Sequence, residues 1–138
     1  MAGKYKNNVG NITDKIEFLY SYKFSIAMEN TEGDGYISEK IIDSFLSGTI
    51  PIYYGGYLLD EFINPKSFIL IKGNKDIKEK IEYIKKIDNN DEIYRKILKE
   101  RILIDKNIFK KYNKEYKEFL FHIFDQDKNR AKRRDTIK

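Results

Sequence analysis

The stretch Tyr22–Gly56, YKFSIAMENTEGDGYISEKIIDSFLSGTIPIYYGG, most constrains how this chain can fold. Phe24, Ile26 and Met28 alternate with Ser25 and Ala27, the two-residue repeat of a strand. Ile41, Ile42, Phe45 and Leu46 then recur at helical spacing, with Ser38 placed as an N-cap and Gly48 as a C′ stop. Ile50, Ile52 and Tyr54 resume the alternation before the pair Gly55–Gly56. Strand, crossover helix and strand make a βαβ unit, which is right-handed in nearly all folds and builds a parallel sheet. The polar residues collect between the first strand and its helix, where open α/β sheets bind ligands. The expected class is therefore α/β, with function at that junction.

The remaining pattern adds elements to this unit. Thr13 or Asp14 can cap a short helix carrying Ile16, Phe18 and Leu19. Leu58, Leu59 and Phe62 suggest a helical turn that Asn64–Pro65 ends, and residues 67–71 read as a third strand. Asp76 can cap a helix with Ile77, Ile81 and Ile84 turned inward; Ile93, Tyr94, Ile97 and Leu98 mark another. A last helix carries Tyr112, Tyr116, Phe119, Leu120, Ile123 and Phe124. At 138 residues the chain fits one core, expected over residues 1–124 with its central motif at 22–71. Residues 125–138 form a basic tail with Lys128, Arg130, Lys132, Arg133 and Arg134. Such a tail reads either as a solvated terminus or as an electrostatic foothold on anionic lipid.

Several chemistries are excluded or weak. Zero cysteines remove disulfides, a thiol nucleophile and Cys-bound zinc, and a single histidine removes HExxH-type sites. No apolar run approaches the roughly 18 residues of a membrane span. Gly33-Asp34-Gly35 begins like a dinucleotide fingerprint, but Ser38 stands where its third glycine belongs. Asp125-Gln126-Asp127 has the DxD form that holds metals in some transferases, yet it falls at a helix end before the tail and reads as solvated; no metal site is expected. The net charge of +5 admits an anionic partner, but the aromatics lack the arrangement of a stacking platform, so nucleic acid is not expected.

The residues between Glu29 and Lys40 suit an anion. Helix N-terminal amides lack intrahelical partners, and Lys40 adds a cation in the first turn, where cations are otherwise unfavourable by about 0.3–1 kcal/mol. A compensating anion is the implied partner. Tyr36 can donate its hydroxyl to a phosphate, and Glu39 can accept from ribose or sugar hydroxyls. Read on chemistry alone, Glu39 could equally favour the helix dipole while Lys40 merely solvates.

The run from YKF through ENT, GYISEK and GTIPIYYG to NPKSF resembles the donor-binding domain of family 10 glycosyltransferases, the α-1,3/α-1,4-fucosyltransferases, with the bacterial branch the nearest likeness. The likeness covers about Phe18 to Ile71. It departs at Tyr54, where many members carry tryptophan. The resemblance implies the Rossmann-like C-terminal half of a GT-B enzyme, an α/β parallel sheet with flanking helices and a helical C-terminal part. It implies GDP-fucose as donor, no required cofactor, and inverting transfer to an N-acetylglucosamine-containing glycan, N-acetyllactosamine-like or lipopolysaccharide. It places Tyr36 and Lys40 at the diphosphate, Glu39 at ribose or fucose hydroxyls, and Glu29 and Asn30 at the strand end facing the nucleotide sugar. A carboxylate at Glu29 could alternatively cap backbone amides.

The family's general base lies in its N-terminal half, which a chain of this length cannot also hold. The expectation is a donor-half fragment with no catalytic residue of its own, inactive alone, cytoplasmic and able to meet the inner membrane face through its basic tail. A related domain for another nucleotide sugar, or a non-catalytic nucleotide-sugar module, are the alternatives.

Overall fold

A computed structural model describes residues 10, 12–31, 33, 35–56, 59 and 61–127. Two compact units divide the chain, residues 1–104 and 105–138. The first unit contains α1 (Lys15–Tyr20), β1 (Phe24–Met28), α2 (Glu39–Leu46), β2 (Ile50–Tyr54), β3 (Ile69–Leu70), α3 (Ile77–Asp88) and α4 (Asp91–Leu98). The three strands form one all-parallel sheet in the order β1-β2-β3, with Phe24 opposite Ile50 and Ile52 opposite Ile69. This is the α/β architecture with flanking helices that the βαβ pattern implied.

Helix boundaries follow local chemistry. Asp14 accepts from the Ile16 and Glu17 amides to start α1, and Asn90 does the same for Glu92 and Ile93 in α4. Gly48 sits at φ +71°, the left-handed conformation that ends α2 without a Cβ penalty. The third strand is shorter than its 67–71 pattern. Ser67 instead closes a turn, its amide and hydroxyl both donating to the Asn64 carbonyl.

Two apolar clusters cover the sheet. Ala27 and Tyr53 pack with Ile41, Leu59, Ile63 and Phe68 on one face, and Ile50 and Ile69 pack with Ile87 on the other. The two-residue repeat of β1 left its covered face open, and the expected facing of α3, with Ile77 and Ile81 inward, is corrected. In β1 the small residues Ser25 and Ala27 point into the core, while Ile26 is 75% exposed. The reason is close packing: α2 lies over that face, and a small residue allows the approach. In α3 the inward residues are Ile84 and Ile87, and Ile77 and Ile81 are exposed. Only the C-terminal end of α3 reaches the sheet cluster, so its first turns stay wet.

At the N-terminal ends of β1 and β2 lies a buried hydroxyl cluster. Ser25 Oγ and Thr49 Oγ1 are 2.6 Å apart, and Thr49 Oγ1 and Ser47 Oγ both donate to the Ser44 carbonyl. These bonds tie the end of α2 to both strands while satisfying every buried hydroxyl.

The second unit contains α5 (Ile108–Phe124), whose expected helical span is borne out, with an i,i+4 pair between Lys114 and Glu118 on its surface. The basic cluster from Lys128 onward lies outside the described residues. Among the described residues no helix is long and apolar enough to cross a membrane.

Candidate functional site

The carboxyl end of β1 and the start of α2 meet at one residue. Glu29 follows the last residue of β1 and still joins the sheet, its amide donating to the Tyr54 carbonyl at 2.9 Å. Its side chain is fully enclosed. Oε1 accepts from the Ser38 amide at 2.8 Å, and Oε2 accepts from the Ser38 hydroxyl at 2.6 Å. Lys40 Nζ stands 3.2 Å from Oε2 and also donates to Asn30 Oδ1 at 3.4 Å. Tyr53, wholly buried in β2, donates to Oε1 at 3.5 Å, a long and weak bond.

Three of the five expected site residues therefore come together: Glu29, Asn30 and Lys40. Tyr36 and Glu39 are placed differently. Tyr36 is 46% exposed on the loop before α2, and Glu39 is the exposed first residue of that helix. Neither side chain enters the Glu29 cluster, and both face solvent around it.

The anion implied by a lysine in the first turn proves to be partly internal. Glu29 itself compensates Lys40, and it also takes the Ser38 amide expected to point at a ligand. Of the two readings open for Glu29, amide capping describes its position. Ser38 Oγ donates to Glu29 and also accepts from the Lys40 amide at 3.4 Å, a long and weak cap.

The electrostatics agree with this arrangement. Burial pushes the Glu29 carboxyl up, but the Ser38 hydroxyl and amide and the Lys40 ammonium together outweigh it, leaving the carboxyl below its ordinary value. Tyr53 is pushed up to about 12, first by burial and then by the Glu29 charge, so it remains a hydroxyl donor at neutral pH.

Two glycines complete the junction. A Cβ on Gly55 would stand 2.6 Å from Glu29 Cγ and collide with the Tyr53 hydroxyl. One on Gly56 would stand 2.5 Å from the Gly33 carbonyl and 3.1 Å from that of Tyr36. The strand end and the loop thus approach at a separation only glycine permits. Ser38 and Tyr53 were not among the expected site residues. The glycine pair was the available sequence signal that something packs closely there.

A cavity of about 530 Å³ lies elsewhere, between β3, α3 and α4, lined by Lys66, Phe68, Tyr83, Ile97 and neighbours. None of the five expected residues lines it. The strand-end junction is the better candidate because its buried carboxylate, cation and helix start are arranged around one another, whereas the cavity's lysines come from a generally lysine-rich surface.

Comparisons with known proteins bear on this junction. The family profile described as "Glycosyltransferase family 10 (fucosyltransferase) C-term" matches residues 2–132. An alpha-(1,3)-fucosyltransferase FucT of Helicobacter pylori is 43% identical over 103 residues, which is 74% of this chain and 22% of that protein. A crystal structure of an alpha1,3-fucosyltransferase with GDP-fucose superposes with a TM-score of 0.73 at 36% identity, over 99% of this chain and 40% of the other. One with GDP superposes equally well, TM-score 0.73 at 38% identity, over 86% of this chain and 38% of the other. The chain thus spans about a fifth of that relative and two fifths of the crystallised chains. With the profile spanning nearly all of its length, this chain belongs to the glycosyltransferase family 10 (fucosyltransferase) C-terminal domain family.

Proposed function

We propose that this chain is the donor-binding part, residues 1–124, of an inverting fucosyltransferase that takes fucose from GDP-fucose. The observation that carries this reading is the likeness, over 99% of the chain, to a fucosyltransferase crystallised with GDP-fucose. On this proposal, Lys40 and the remaining amides at the start of α2 bind the diphosphate, and the exposed Tyr36 adds its hydroxyl. Glu39 accepts from ribose or fucose hydroxyls, and Asn30 stands at the strand end beside them.

The chemistry is displacement at the anomeric carbon with GDP leaving. Negative charge grows on the diphosphate as that bond breaks, so preoriented donors there act on the transition state. Loss of one charged hydrogen bond, about 1.5–3 kcal/mol, slows such a step about 10- to 150-fold. No metal enters this account. The base that deprotonates the acceptor, an N-acetylglucosamine-containing glycan, comes from residues outside the present sequence. The basic tail, residues 125–138, gives a cytoplasmic protein a foothold on anionic lipid, and salt-sensitive liposome binding lost on deleting it would support this role.

A single calorimetric series tests the donor assignment. GDP and GDP-fucose bind, UDP binds weakly or not at all, and a short oligonucleotide does not compete. Lys40→Ala weakens GDP binding at least tenfold, whereas Lys85→Ala, which removes the same charge from the exposed Glu82 pair, leaves it within twofold. Equal affinity for UDP and GDP would point to another nucleotide sugar, and equal effects of the two substitutions would remove the site from this junction.

A further inference from the structure

We propose that Glu29 and Tyr53 are a buried positioning pair that holds Lys40 and the Ser38 turn in place for the diphosphate, and that Glu29 does not touch the nucleotide sugar; this rests on the donor-site reading above. Both oxygens of Glu29 are already occupied. One accepts from the Ser38 amide and the Tyr53 hydroxyl, the other from the Ser38 hydroxyl and Lys40. Its side chain has no exposed surface, so no sugar or ribose hydroxyl can reach it. Lys40, by contrast, keeps 24% of its side chain exposed. The ammonium can therefore serve Glu29 and an outer anion together.

Tyr53 holds the far side of the carboxylate. Its ring is fixed edge-on by Phe68 at a centroid distance of 6.2 Å. The space these groups share is what Gly55 leaves open, since a Cβ there would enter both Glu29 and Tyr53. Strand β2, strand β1 and the first turn of α2 are thereby joined through one carboxylate. A lysine on a four-carbon stem otherwise samples many rotamers, and pinning it removes that entropy before ligand arrives.

A double-mutant cycle on GDP affinity separates this role from direct contact and from a merely structural one. Glu29→Gln is expected to weaken GDP binding about 10- to 100-fold, and Tyr53→Phe a few-fold, with thermal unfolding confirming that each variant is folded. Combining Glu29→Gln with Lys40→Ala is expected to weaken GDP binding by clearly less than the product of the two single losses, because much of the effect of Glu29 passes through Lys40 and only the part carried by the Ser38 turn remains. Losses that multiply would overturn the proposal. Should Glu29→Gln fail to fold, the same cycle with Tyr53→Phe carries the test. A ligand-free readout is the rate at which a small activated ester acylates Lys40, compared by mass spectrometry with exposed Lys85. Release from Glu29 is expected to raise it several-fold in Glu29→Gln, and an unchanged rate would overturn the proposal. Wild-type protein that ignores GDP would refute the donor reading, while the acylation rate still decides whether Glu29 pins Lys40.

Discussion

A buried carboxylate that stays ionised makes the protein's stability depend on acid. Glu29 sits below its ordinary value of 4.5 in the folded chain, so its contribution is present above that value. It is lost as pH falls through the lower folded value, where the folded and unfolded chains bind the proton alike. Breaking a buried pair by removing one partner costs a few kcal/mol. Wild-type protein should therefore unfold at higher temperature than Glu29→Gln at pH 7, and the gap should narrow steadily as pH is lowered below 4.5. Melting curves across pH 3–7 check this, and a constant gap would mean that Glu29 packs rather than ionises. At this scale the sequence supplied candidates but not pairings. Glu29, Asn30 and Lys40 were visible as polar residues at a strand-helix junction. That Glu29 would meet Ser38, nine residues on, and Tyr53, 24 residues on, depends on the crossover that brings β2 beside β1.

Elements were more legible than their orientation. The strands at Phe24–Met28 and Ile50–Tyr54, the Ser38 cap and the Gly48 stop all stand where periodicity and end signals put them. A two-residue repeat says that alternate residues share a face, but not which face is covered. In β1 the repeat left both faces open, and the helix packs on Ser25 and Ala27. The same limit applies to α3, where four isoleucines at helical spacing mark a face longer than the surface available to cover it. The facing of β1 makes a sharp test. Ala27→Leu should overpack the interface with α2 and cost about 1–3 kcal/mol, while Ile26→Thr, on the exposed face, should stay within about 0.5 kcal/mol. Denaturant melts distinguish them, and the opposite ranking would reverse the assignment of faces.

Across the whole molecule, family membership rested on a run of motifs in order, a signal that survives where individual contacts cannot be read. The parallel sheet has consequences of its own. Such sheets normally have both faces covered, yet among the described residues β1 is an edge strand, with Ile26 75% and Met28 54% exposed. Its five residues, FSIAM, include no charge, proline or glycine, the usual devices that keep a sheet edge from pairing with another chain. At the bench this chain should be poorly behaved when concentrated: light scattering should rise with protein concentration, and Ile26→Lys should suppress it without altering GDP affinity. A purification that loses material at high concentration would then reflect one unguarded strand, curable by one charge, and not a failure of the fold.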